Sequence, residues 1–167
     1  MKLASVFSSN SWNNPDITLY HGTTAQSADS ILDRIVAPEL KDSSDFGRGF
    51  YTTTNLVQAQ SFASRRARHR QKNAAVVKFV VSRDELSRLE SLWFVRAASD
   101  TEDFWNLVRA CVEGGESNRG ATGWYDLVVG PVSGGYRNRR VWENYDQISF
   151  HTPKAFLVLD NSKKVRL

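Results

Sequence analysis

A histidine that closes one apolar stretch and a tyrosine near the start of another are the side chains best spaced to handle a ligand. Ile17-Thr18-Leu19-Tyr20 reads as a strand, His21 ends it, and Gly22 with Thr23 lets the chain depart sharply. Downstream, Asp45-Phe46-Gly47-Arg48-Gly49 sets a cation between two glycines and leads into Phe50-Tyr51-Thr52-Thr53-Thr54. That β-branched and aromatic run predicts a second strand whose entry is bent by glycine, where a ligand can approach the backbone. Each residue alone has an ordinary structural use, as a tight turn, a strand-end hydrogen bonder or a sheet face. Their joint spacing carries the argument.

The elements that must hold these residues follow from periodicity. Ala28, Ile31, Leu32 and Ile35 predict a helix ended by Pro38, with a polar loop from Ala37 to Asp45. Asn55 and Gln58 form an N-cap and N3 pair ahead of a helix whose apolar stripe is Ala59, Phe62, Ala63 and Ala67. Ala74 to Val81 reads as a strand, and Ser82 opens a short helix. Ser99 with Glu102 repeats the capping signature before a helix from Phe104 to Val112, stopped by Gly114-Gly115. Cys111 falls on that helix's apolar stripe and is expected in the core. Tyr125 to Val132, Gln147 to Phe150 and Ala155 to Leu159 read as further strands. Helices gather in the first two thirds with strands around them, so the expected class is α+β: split, mostly antiparallel sheets with peripheral helices.

At 167 residues and 41% hydrophobic content, the chain can bury a full core. One domain is expected over 17–167, behind a polar, turn-rich lead-in at 1–16. A single cysteine excludes an internal disulfide, and the three histidines, His21, His69 and His151, are scattered, so no metal is expected. No stretch approaches a membrane span and none resembles a signal peptide, so a cytoplasmic protein with no membrane partner is expected.

The net charge of +4 is modest but clustered. Arg65, Arg66, Arg68, Arg70 and Lys72 crowd one helix end, Arg137, Arg139 and Arg140 fill a glycine-flanked loop, and Lys163, Lys164 and Arg166 lie near the C-terminus. Such clusters either solvate a helix end, a loop and a tail, or bind a polyanion: RNA, DNA or the phosphates of a dinucleotide.

His-Gly-Thr followed by Gly-Phe-Tyr-Thr-Thr, with a helical segment between, resembles the dinucleotide-binding core of ADP-ribosyltransferases of the His-Tyr-Glu type. More closely, it is similar to a family of small bacterial ADP-ribosyltransferase-like toxins catalogued as a domain of unknown function. Asn55 to Ala63, Tyr125-Asp126-Leu127-Val128-Val129-Gly130-Pro131-Val132 and Gln147-Ile148-Ser149-Phe150-His151-Thr152 continue the likeness, which runs roughly from residue 17 to 160.

The resemblance implies an ADP-ribosyltransferase-like fold and NAD as co-substrate, cleaved between ribose C1′ and nicotinamide through an oxocarbenium-like state. His21 is then expected to hydrogen-bond a ribose hydroxyl, and Gly22 to offer backbone groups to the nicotinamide amide. Tyr51 is expected to stack on the nicotinamide ring, and Arg48 to pair with the pyrophosphate. Thr23, Gly47, Gly49 and Phe50 complete the expected cofactor-binding set.

The third catalytic position, usually glutamate, is Gln147, which can orient a ribose hydroxyl but cannot accept a proton as a carboxylate does. Glu143 or Asp146 could supply that carboxylate, although Asp146 and Gln147 should face opposite ways on a strand. Mono-transfer by the toxin of a toxin–antitoxin or phage-defence system is implied, with RNA modification, or another nucleic-acid acceptor, slightly favoured over protein, and an antitoxin as a possible partner. The alternatives are an inactive NAD- or ADP-ribose-binding domain, and a basic RNA-binding module or ribonuclease using His21 and His151.

Overall fold

The computed structural model describes residues 15–35, 44–95, 102–114, 118–119 and 123–167. Strands β1 (Ile17–Thr24), β3 (Ala74–Val81) and β7 (Lys163–Arg166) form one sheet in the order β1-β3-β7, antiparallel throughout. The second sheet runs β2-β6-β5-β4, built from β2 (Phe50–Thr52), β4 (Ser91–Trp93), β5 (Leu127–Gly135) and β6 (Arg140–Phe150), with β4 parallel to β5. Around them lie α1 (Ala25–Asp33), α2 (Leu56–Arg70), α3 (Arg83–Ser87), α4 (Glu102–Gly114) and α5 (Pro153–Asp160). The architecture is α+β with two mostly antiparallel sheets, as the patterning predicts.

Between β1 and the β2 segment the backbone contact is an isolated bridge. Tyr20 and Thr53 exchange both backbone hydrogen bonds, at 2.8 and 2.9 Å, and β1 and β2 part on either side of that bridge. One core cluster spans both sheets, with Leu19, Val77, Phe79, Phe50, Leu127 and Phe150 packed against Phe156 and Leu159 of α5. Burying side chains of this size stabilises the fold by roughly 1.5–3 kcal/mol each. A second cluster seats α4 through Phe104, Trp105 and Val108 against Phe46 and Val128. Cys111 is fully buried on the same helix.

Most predicted elements form where their signals lie. β3 has the bounds read from its β-branched run, and Asn55 caps α2 by accepting the Gln58 N–H at 3.2 Å. The reciprocal half of that cap does not form, because the Gln58 side chain turns to Thr53 and Asp146 instead.

Four expectations are corrected. β1 does not end at His21: the strand continues in register with β3 through Gly22 and Thr23 to Thr24. Ala155 to Leu159 is helical, not a strand: Thr152 caps the segment, Pro153 opens it, and Ala155, Phe156 and Leu159 bury one helical face. Lys163 to Arg166 is not a soluble tail but β7, and the Lys164 ammonium reaches Asp160 at 3.2 Å and the Ile31 carbonyl at 3.1 Å. α1 ends at Asp33, so Ile35 is buried beyond the helix, where its N–H bonds the Asp160 carboxylate at 3.1 Å. Residues 1–14 of the lead-in, Pro38, Ser99 and Gly115 lie outside the described residues.

Candidate functional site

The parting of β1 and β2 opens a cleft, and His21 sits at its apex. Just beyond the Tyr20–Thr53 bridge the backbone ladder stops, and the imidazole takes over: Nδ1 lies 2.6 Å from the Tyr51 carbonyl oxygen. A carbonyl only accepts, so Nδ1 carries the proton and Nε2 is a bare acceptor. Among the described residues Nε2 has no partner, and it is not sealed from solvent. The ring stacks on Phe50 at 4.3 Å. Burial first, then the charge of Arg66, lowers its pKa to about 4 against the opposing pull of the Tyr51 hydrogen bond, so the imidazole is neutral near pH 7.

Tyr51 forms the facing wall. Its hydroxyl donates to the Gly47 carbonyl at 2.7 Å and accepts the Phe46 N–H at 3.0 Å, which folds the 44–49 loop back onto the ring. Gly47 adopts φ 84°, a left-handed conformation that favours glycine. Burial raises the phenol pKa well above its usual value, so it stays protonated.

Gln147 reaches the same cleft from β6. Its Nε2 donates to Asp45 Oδ2 and to the Pro131 carbonyl, both at 2.8 Å. Two acceptors fix the amide's orientation and leave Oε1 as its open group. A glutamate here would set a carboxylate against two acceptors, which explains the amide at this position. As strand alternation requires, Asp146 faces away, bonded to Thr54 N–H at 3.0 Å and to the hydroxyls of Thr53 and Thr54. Glu143 is exposed on β6.

Sequence reasoning missed Asp45. Register shifts in β5 around Ser133 take its N–H off the ladder, and Asp45 Oδ2 accepts it at 2.6 Å. Burial raises the Asp45 pKa, opposed by the bonds from Ser133 and Gln147. No local signal links residues so distant in the chain.

Two adjoining hollows share His21, Ser44, Tyr51 and Arg66. The first, about 270 Å³, adds Gly22, Asp45, Phe62, Ser133 and Gln147. The second, about 420 Å³, adds Thr23, Gly49, Phe50, Arg34 and Arg70. Arg66 is half-buried and makes no ion pair among the described residues. A desolvated guanidinium without a counterion is a ready anion site.

Of the residues predicted from sequence, the structure thus brings together His21, Gly22, Thr23, Gly49, Phe50, Tyr51 and Gln147. Arg48 is exposed, and neither it nor Gly47 lines either hollow. Gly22 has a packing reason to be glycine, since a Cβ there would lie 2.0 Å from the Ala59 carbonyl oxygen of α2. Gly49 likewise clears room for His151, whose Nδ1 would lie 2.6 Å from an added Cβ. His151 lines neither hollow; its Nδ1 meets the Arg48 carbonyl and its Nε2 the Ser149 hydroxyl, each at 2.8 Å.

Among the described residues no group of three or more His, Cys, Asp or Glu could hold a metal ion, and no helix is long and apolar enough to cross a membrane. No curated protein matches the sequence. The family described as "Protein of unknown function (DUF3990)" matches residues 17–136, which include His21, Asp45 and Tyr51 and stop short of Gln147. With most of its length inside that match, the chain belongs to this family.

Proposed function

We propose that the protein is an NAD-dependent mono-ADP-ribosyltransferase acting on a macromolecular acceptor, and that it serves as the toxin of a bacterial toxin–antitoxin or phage-defence system. The observation that carries the chemistry is the convergence of His21, Tyr51 and Gln147, from three strands, on one cleft beside Arg66, which makes no ion pair among the described residues. Breaking the C1′–nicotinamide bond develops positive charge on the ribose and demands a fixed, bent dinucleotide, so positioning outweighs strong acid–base chemistry.

In this reading His21 Nε2 accepts from a ribose hydroxyl, Gln147 Oε1 accepts from the nicotinamide-ribose hydroxyl, and the Tyr51 ring flanks the nicotinamide. Arg66, with Arg34 and Arg70 in the adjoining hollow, takes the pyrophosphate, a duty the sequence had suggested for Arg48.

The acceptor reading favours nucleic acid, and the outer face of α2 is the reason. Trp142 and Tyr145 of β6 stack at 5.5 Å, and Arg65 and Arg68 share their groove. Arg65 also lies over the Phe62 ring at 4.6 Å, and Phe62 lines the first hollow. An aromatic pair among arginines suits an unpaired base and its phosphates. The loop cations are less available: Arg139 pairs with Glu102 at 2.7 Å, and Arg137 donates to the Tyr136 hydroxyl at 3.1 Å.

Labelled NAD incubated with separate RNA, DNA and protein pools tests the proposal. Label transfer with nicotinamide release is expected, strongest on single-stranded nucleic acid and weakening with salt. Label on protein alone, insensitive to salt, selects a protein acceptor. NAD binding without nicotinamide release selects the inactive binding domain that glutamine at position 147 suggests, and no NAD binding at all overturns the reading.

A further inference from the structure

We propose that Asp45, held by Gln147, is the carboxylate that takes the acceptor's proton during transfer. The inference rests on the ADP-ribosyl-transfer reading and deepens it, because that reading lacks a base: Gln147 cannot accept a proton, Asp146 is committed to Thr53 and Thr54, and Glu143 is exposed. Asp45 is the one carboxylate among the described residues that line the first hollow.

Its geometry suits the task. Oδ2 takes both available donors, the Ser133 N–H at 2.6 Å and Gln147 Nε2 at 2.8 Å. Oδ1 has no partner among the described residues and is not sealed from solvent. One oxygen is therefore anchored and the other open, in a pocket it shares with His21, Tyr51 and Arg66. The pair Asp45–Gln147 divides between two side chains what a single glutamate does elsewhere: the amide oxygen orients the ribose hydroxyl and the carboxylate handles the proton.

The C1′–nitrogen bond breaks and nicotinamide leaves neutral with the bonding pair. A lone pair of the acceptor oxygen or nitrogen forms the new bond to C1′, and the proton released from that atom passes to Asp45 Oδ1. Burial, which raises the affinity of Asp45 for a proton, makes it a better acceptor than an exposed aspartate.

A purely structural Asp45 would only clamp the irregular stretch of β5. Asp45→Asn separates the two roles, since an asparagine oxygen can still accept from Ser133 and Gln147 while losing the base. The measurements are NAD affinity, nicotinamide release and kcat against pH for wild type and D45N. The expected result is an NAD affinity within about 3-fold of wild type and a kcat at least ~100-fold lower, the range for removing a general base. The part of the wild-type fall of kcat in acid that comes from Asp45 protonation should also vanish. A D45N enzyme with near-normal kcat and an unchanged acid limb overturns the proposal while the transferase reading stands. A wild-type protein that neither binds nor cleaves NAD overturns both.

Discussion

His21 and His151 are buried in nearly the same way. Each presents Nδ1 to a backbone carbonyl, Tyr51 for one and Arg48 for the other, and each stacks on an aromatic ring, Phe50 at 4.3 Å and Trp124 at 5.4 Å. Burial lowers both pKa values to about 4. They differ at the second nitrogen: His151 Nε2 meets the Ser149 hydroxyl inside the core, whereas His21 Nε2 is left open to the cleft. A histidine's type, burial and protonation therefore do not tell which of two buried imidazoles can still take a ligand. What distinguishes them is whether the fold consumes both ring nitrogens or leaves one for a ligand.

The largest expected effect follows from that difference. His21→Ala should lower nicotinamide release by roughly 10²–10³-fold in the folded fraction, the scale on which lost positioning acts. His151→Ala should leave turnover of the folded protein within a few-fold while lowering stability by roughly 2–4 kcal/mol, because it opens a cavity and strands buried polar partners. Single-turnover release assays with urea melts on both variants would check this. Equal losses of turnover would erase the contrast.

The shared burial makes a second prediction, in which the two residues should behave alike. Each folded-state pKa lies below the ordinary 6.5, so acidification protonates the unfolded chain first. Each histidine's contribution to stability is then complete above pH 6.5 and is lost as pH falls toward 4. Asp45 works in the opposite sense, since its raised pKa gives stability at low pH that is lost as pH rises through its folded value. Between pH 7.5 and 5 a loss of about 2 kcal/mol per histidine is expected. His21→Gln and His151→Gln should each remove about half of that slope in urea titrations. A slope untouched by either variant would break the likeness.

The sequence carried the strands better than the site. Alternating and β-branched runs marked β1, β2 and β3, and the Asn55 and Ser82 caps marked α2 and α3, because those signals are local. Ala155 to Leu159 misled because a five-residue apolar run fits a buried strand as well as a helix. The Thr152-Pro153 start was the signal that could have decided it. β7 hid behind its charges, since Lys164 buries its stem and spends its ammonium on Asp160 and the end of α1. The resemblance set His21, Tyr51 and Gln147 together, and they line one hollow, whereas Arg66 read as one more cation on a helix end. Nothing in the sequence placed Asp45 in the cleft, because its contacts depend on an irregularity in β5 far along the chain.

Tyr51 links the two histidines, and removing its hydroxyl is the smallest and sharpest perturbation. Its carbonyl holds His21, and its ring meets His151 edge-on at 6.1 Å. The hydroxyl itself touches neither, bonding instead to Phe46 N–H and the Gly47 carbonyl of the loop that carries Asp45. If the ring alone served the site, Tyr51→Phe would be silent. Two lost hydrogen bonds at about 1 kcal/mol each should instead loosen the loop and lower kcat roughly 10-fold, with stability falling by about 1–2 kcal/mol. NAD affinity should change less than kcat, because the ring wall and His21 stay where they are while Asp45 drifts. Nicotinamide-release kinetics and calorimetric NAD titration on Y51F would check the split. A loss confined to affinity would mean that the hydroxyl serves the bound dinucleotide and not the loop.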